Sequence, residues 1–198
     1  ITVDLVRADV MPVGAALQHA TFQVASIQTT TGFTTADYDL WPSLSRGVLL
    51  TLMLIGGCAG STAGGLKVVR LLVVAKYAAR HIMMAFNPRT VAAIKLGQQP
   101  LAESVAAAVV GTSCIYVLVI FLGFLIMCGQ GLDGLGALSA VVTTVGNVGP
   151  GLAAVGPSQN FAFITDPGKI VLAGLMLVGR LEFVTVLALF HPMFWRWR

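Results

Sequence analysis

Apolar residues along this chain come in blocks of unequal length. Val105 to Met127 is an uncharged block long enough to cross a bilayer as a helix. Ile170 to Phe190 is also of spanning length but carries Arg180 and Glu182. Two further blocks are shorter and more polar or small: Gly14 to Gln28, where Leu17, Phe22, Val24 and Ile27 lie among Gln, His and Ser, and Leu135 to about Val145. Their length predicts re-entrant helices rather than spans. A fifth block begins after Arg46 and breaks off. Its nine residues Gly47 to Ile55 rise only about 14 Å at helical pitch, against a hydrocarbon core about 30 Å thick. The run GGCAGSTAGG, Gly56 to Gly65, follows. It therefore falls near the membrane midplane, where unpaired backbone is tolerated only when buried in protein or lining a water-filled cavity. A water-lined route through the membrane is the leading idea.

The blocks also repeat. The first short helix runs into Thr29, Thr30, Thr31, Gly32, Phe33, Thr34 and Thr35, the second into GNVGPG. Asp37, Asp39 and Pro42 return the first loop to water, and Pro157, Asp166 and Pro167 return the second. Placing Gly32 on Gly149, 117 positions later, sets short helix on short helix and following span on following span. The predicted unit is an outer helix, a re-entrant helix with its glycine loop, and an inner helix. Ile1 to Val13, with Asp4, Arg7, Asp9 and Pro12, cannot span, so the first unit is expected to lack its outer helix and the chain to be a fragment.

Composition agrees: 57% of the residues are hydrophobic and 10% charged, against about 25% charged in soluble domains. Cys58, Cys114 and Cys128 form no CxxC pair and indicate neither disulfides nor a zinc site. His19, His81 and His191 are scattered and read as packing or interfacial residues. No residues suggest a catalytic site, a cofactor or a nucleic-acid partner. Charge sets the orientation. No Asp or Glu lies between Asp39 and Glu103, where Arg46, Lys67, Arg70, Lys76, Arg80, Arg89 and Lys95 fall. The positive-inside rule makes the segment after Leu66 cytoplasmic, read as a solvated basic loop or as a surface for lipid or a partner. The loops flanked by Asp37, Asp39, Asp133 and Asp166 then face outward, and Trp195, Arg196, Trp197 and Arg198 anchor a cytoplasmic C-terminus.

A glycine loop after a re-entrant helix can replace the water shell of a cation with backbone carbonyls, because glycine reaches positive φ without a side-chain penalty. Two such loops in register argue against incidental turns. SIQTTTGFTT, GGCAGSTAGGLK, NVGPG and GRLE together resemble the Trk/Ktr/HKT superfamily of potassium transporters, most closely its TrkH-type membrane subunits, over Leu17 to Trp197. The resemblance implies an all-α membrane protein built of helix, re-entrant pore helix with filter loop, and helix units around a pseudo-four-fold, potassium-channel-like pore. Residues 1–99 then correspond to a third pore repeat without its outer helix plus the cytoplasmic basic segment, and residues 100–198 to a whole fourth repeat.

By motif, Gly32 resembles the filter glycine of the third repeat, with Thr30, Thr31 and Phe33 supplying neighbouring carbonyls. Gly149 resembles its fourth-repeat counterpart, with Asn147, Val148 and Pro150; Thr144, Val145 and Gly146 form a competing frame three residues upstream. The implied cargo is potassium, held by backbone carbonyls, with one filter glycine per repeat and hence a short filter. The intramembrane loop, with Gly56, Gly57, Gly60, Ser61, Thr62, Gly64 and Gly65, resembles the family's gate. Two other readings exist for it. Gly56, Gly60 and Gly64 would make a helix-packing face if helical, whereas the P-loop spacing fails because Lys67 comes one place late with no hydroxyl after it.

Arg180 is placed by depth. The ten residues Ile170 to Gly179 rise about 15 Å from an outer Lys169, and the 117 offset sets Arg180 opposite Ala63. An arginine at that depth is a functional candidate. Its guanidinium can repel a passing cation or hold carbonyls of the glycine loop; the alternative is an ion pair with Glu182 or another helix. The resemblance further implies a bacterial inner-membrane, multi-pass protein, a homodimer of the full-length subunit, membrane lipid around it, and a cytosolic TrkA-type nucleotide-binding ring on the basic face.

Overall fold

The computed structural model describes residues 1–87, 94–97, 99–181 and 185–186. Arg89, Glu182, His191, the interface anchor Trp195 to Arg198 and the end of the last span towards Phe190 lie outside the described residues.

The chain opens with a short helix, α1 (Thr2–Arg7), and a longer one, α2 (Val13–Gln28). Helix α3 (Ser43–Ile55) follows an exposed return. Its first turn is capped from a distance, because Oδ2 of Asp4 accepts from both the backbone N (3.1 Å) and the hydroxyl (2.6 Å) of Ser45. That bond satisfies donors a helix N-terminus leaves open. The helix stops at Gly56, and α4 (Val68–Phe86) begins twelve positions later. Helices α5 (Glu103–Gly129), α6 (Gly134–Gly146) and α7 (Asp166–Leu181) complete the fold.

Helix α6 is the centre. It packs on α3, α5 and α7, and from Gly136 onward nearly every residue is buried, as expected of a helix apolar on all sides. Asp133 caps it through Gly136 N at 3.2 Å. Helix α5 is long and apolar enough to cross a membrane, with mean hydropathy 2.6 over its most apolar window. Its buried positions, Ala106, Ser113, Tyr116, Ile120, Gly123 and Met127, form one stripe. Val117, Leu118, Phe121, Leu122 and Leu125 are exposed elsewhere around it, the distribution a lipid-facing helix requires.

Two details differ from the sequence reading. The basic stretch after Leu66 is a helix over Val68–Phe86 rather than a loop. Val73 packs with Ile94 and Ala106, Arg80 pairs with both carboxylate oxygens of Glu103 and lies over the Tyr77 ring, and Lys76 Nζ reaches the Lys95 carbonyl at 2.7 Å. These contacts dock α4 on α5. The fold is also not wholly α-helical, since Lys95–Leu96 and Gln99–Pro100 pair as a small antiparallel hairpin, β1 and β2.

Candidate functional site

The loops after α2 and α6 share two backbone bonds and one hydroxyl bond at the 117-residue offset. Thr30 N donates to Ile27 O at 3.1 Å, and Asn147 N to Thr144 O at 3.1 Å. Thr31 N donates to Ser26 O at 2.9 Å, and Val148 N to Thr143 O at 2.9 Å. Thr30 and Asn147 both adopt left-handed backbone, with φ of 56° and 54°. Gly32 and Gly149 follow at +78° and +113°. The competing frame is helical instead: Gly146 ends α6, and the Thr144 hydroxyl is bonded back to the Ala140 and Val141 carbonyls at 2.8 and 2.9 Å.

Among the described residues, no donor reaches the carbonyls of Thr30, Thr31 and Gly32, or those of Asn147, Val148 and Gly149. Three consecutive acceptors in each loop are therefore open to another partner. Phe33 and Pro150 behave differently. Phe33 O accepts from Ser26 Oγ at 2.6 Å and Gln23 Nε2 at 3.5 Å, and Pro150 O accepts from Thr143 Oγ1 at 3.0 Å. Their carbonyls turn back to α2 and α6. The two loops are in contact, because a Cβ at Gly32 would lie 2.0 Å from Val148 O. A side chain there meets both a positive φ and a backbone oxygen.

The run from Gly56 to Lys67 is not helical, so the helix-packing face does not form there. It turns through positive φ at Gly56, Gly60, Gly65 and Lys67, and its ends meet. Lys67 N donates to Ile55 O at 2.8 Å, Leu66 N to Leu54 O at 3.3 Å, and Tyr116 Oη from α5 also to Leu54 O at 3.0 Å. Carbonyls that a broken helix would otherwise leave bare in an apolar setting are thereby satisfied. Gly57 is buried, and Ser61 closes a tight turn with its hydroxyl on Cys58 O at 2.7 Å. Gly64 lies flat on the end of α6, where a Cβ would be 2.1 Å from Gly146 O.

Arg180 and this loop come together. The Nη1 of Arg180 donates to the carbonyl of Thr62, one residue from the position the repeat offset predicts. The amide of Gln28, which sequence reasoning passed over, and that of Asn147, named there only for its loop carbonyl, tie α2 and α6 to the same region. Gln28 Nε2, at the end of α2, donates to Gly56 O. Asn147 Nδ2 donates to Met176 O at 3.1 Å, one turn before Arg180 on α7. Ser26 and Thr143 were also missed, although a signal existed: both carry hydroxyls at aligned positions of the repeat.

On the return from the first loop, Tyr38 is fully buried. Burial, reinforced by the charges of Asp37 and Asp39, pushes its phenol well above the usual tyrosine range. Asp39 Oδ1 accepts from Ala153 N at 2.9 Å and lies 3.7 Å from Arg46, and Asp37 takes the Ser158 hydroxyl at 2.6 Å.

Comparison with known proteins places this geometry. The family described as TrkH, cation transport protein, matches residues 5–196. The Trk system potassium uptake protein TrkH of Salmonella typhimurium is 44% identical over 180 residues, covering 91% of this chain and 37% of that protein. The protein of the same name from Escherichia coli K12 is 43% identical over the same shares. The crystal structure of the potassium transporter TrkH from Vibrio parahaemolyticus superposes with a TM-score of 0.89 at 41% identity, over 98% of this chain and 42% of that one. The chain spans less than half the length of the curated relatives it matches.

Proposed function

The chain belongs to the TrkH cation transport protein family, and from that premise we propose that it contributes two filter loops and the gate of a potassium uptake pathway. The carrying observation is the pair of loops that share their main bonds and leave three consecutive carbonyls open in each. Potassium sheds water on entering, and the carbonyls of Thr30, Thr31 and Gly32, with those of Asn147, Val148 and Gly149, replace it. The cation moves down its electrochemical gradient. Phe33 and Pro150 shape the loops without facing the ion. Two further repeats, from outside this chain, complete a four-fold ring.

The loop Gly56–Gly65 closes the pathway on the inner side, with Arg180 as its latch. The Thr62 carbonyl bonded to the guanidinium supports this role. A guanidinium 4 Å from a passing cation opposes it by about 4 kcal/mol at an effective dielectric near 20, about a thousandfold in rate. The complete protein is a multi-pass inner-membrane homodimer with the basic face of α4 in the cytoplasm, where a nucleotide-binding ring of the TrkA type docks. The partner side rests on the names of the relatives, which place them in the Trk system.

The test is radioactive rubidium uptake into liposomes by the complete polypeptide carrying this sequence, wild type beside Gly32→Ser. Uptake that potassium blocks and sodium does not, with that discrimination lost in the variant, is the expected result. No uptake would leave a non-conducting membrane scaffold as the better reading, and uptake indifferent to the substitution would mean that the Gly32 loop is not the filter.

A further inference from the structure

Glycine makes a filter loop possible and also makes it loose. Its φ and ψ are the least restricted of any residue, so the peptide planes on either side of Gly32 and Gly149 need outside restraint to keep their carbonyls aimed one way. In both loops a single helix residue supplies restraint on both sides. Ser26 takes Thr31 N on its backbone oxygen at 2.9 Å and gives its hydroxyl to Phe33 O at 2.6 Å. Thr143 takes Val148 N at 2.9 Å and gives its hydroxyl to Pro150 O at 3.0 Å. Each peptide unit is planar, so fixing the N–H before the glycine and the carbonyl after it leaves few torsions free between them. Both hydroxyl residues are buried, where a competing water partner is excluded and a lost bond is costly.

We propose that Ser26 and Thr143 are positioning residues that set cation discrimination, each bracketing its loop glycine by taking the preceding residue's amide on its backbone oxygen and giving its hydroxyl to the following residue's carbonyl, so that the carbonyls within the bracket keep a fixed spacing. The inference rests on reading these loops as the filter. It adds an asymmetry between the repeats. Gly149 N donates to Thr143 Oγ1 at 3.0 Å, whereas Gly32 N turns to the Ser26 backbone oxygen at 3.4 Å and Phe33 O has the Gln23 amide as a second donor at 3.5 Å. The fourth-repeat loop therefore depends on one hydroxyl more heavily than the third-repeat loop does.

The experiment is rubidium uptake by the complete polypeptide in liposomes, competed with potassium or sodium and scored per monodisperse protein, for Ser26→Ala, Thr143→Val, Ser26→Thr and Thr143→Ser, with Gly32→Ser as the filter control. Ser26→Ala should lower potassium-over-sodium discrimination by about fivefold, the size of one hydrogen bond, and Thr143→Val by more. Ser26→Thr and Thr143→Ser, which keep the hydroxyl, should retain it. Full discrimination in folded Ser26→Ala and Thr143→Val, while Gly32→Ser loses it, would overturn the bracket and leave the filter reading standing. No discrimination in wild type would overturn both. Failure of both hydroxyl-free variants to fold, with the conservative pair intact, would assign the hydroxyls to the fold and also overturn the proposal.

Discussion

At the scale of single residues, Arg180 carries the sharpest consequence. Its side chain crosses from α7 to the Thr62 carbonyl, so it places a positive charge beside the loop and holds the loop at the same time. Removing it loses both effects. Arg180→Ala is expected to raise basal rubidium flux by at least about tenfold, a modest part of the barrier one nearby charge can impose. The assay is uptake in the absence of any regulatory partner, and unchanged flux in a monodisperse variant would refute the latch. Tyr38 offers a contrast. It is buried with no partner for its hydroxyl among the described residues, and the raised pKa keeps it neutral. Tyr38→Phe should therefore leave thermal stability within about 1 kcal/mol of wild type or above it, because an unmet hydroxyl contributes no bond. A loss of several degrees in melting temperature would show that the phenol has a partner.

At the scale of elements, the broken helix depends on close backbone approach. Gly64 rests on the end of α6, where a Cβ would meet Gly146 O at 2.1 Å. Gly60 has nothing within 4 Å of such a Cβ, and its constraint is a positive φ of 79°. Gly64→Ala must push the loop away from α6 and should cost about 1–3 kcal/mol, with raised basal flux. Gly60→Ala should cost less and leak less. Equal melting temperatures and equal flux in the two variants would refute this account of the contact. The break itself was legible, because a glycine run inside an apolar block cannot continue a lipid-facing helix. The likeness of the two loops was legible through the common offset of their glycines. Helix α4 was not, because its basic residues masked a thin stripe at Val73 and Tyr77 whose partner, α5, lies far along the chain. The ties from Gln28 to Gly56 and from Asn147 to Met176 were hidden for a different reason. Each amide recognises a backbone carbonyl 28 or 29 positions away, and a carbonyl leaves no mark in sequence. For the same reason, which carbonyls stay open in each loop, and that those of Phe33 and Pro150 do not, emerges only from the geometry.

At the scale of the whole molecule, acidic residues join the first half of the chain to the second at the loops, and basic ones join it at α4. Asp37 and Asp39 hold Ser158 and Ala153 across 121 and 114 positions of sequence, whereas Arg80 and Lys76 fasten α4 to α5 and to the hairpin. This polarity gives the molecule a direction in the membrane. The positive-inside rule predicts the α4 end in the cytoplasm, and on the proposed reading of the loops this would set Gly32 and Gly149 towards the outside and the glycine loop as the inner barrier. The orientation can be tested apart from transport. In a background where Cys58, Cys114 and Cys128 are replaced by serine, Ser158→Cys should react with a membrane-impermeant maleimide on intact cells, and Lys95→Cys only after permeabilisation. The opposite pattern would invert the pathway, turning the gate outward and placing the basic face out of reach of any cytosolic ring. Labelling of both sites on intact cells would mean that the two ends are not separated by a membrane, and the pathway through the glycine loops would then have no compartments to connect.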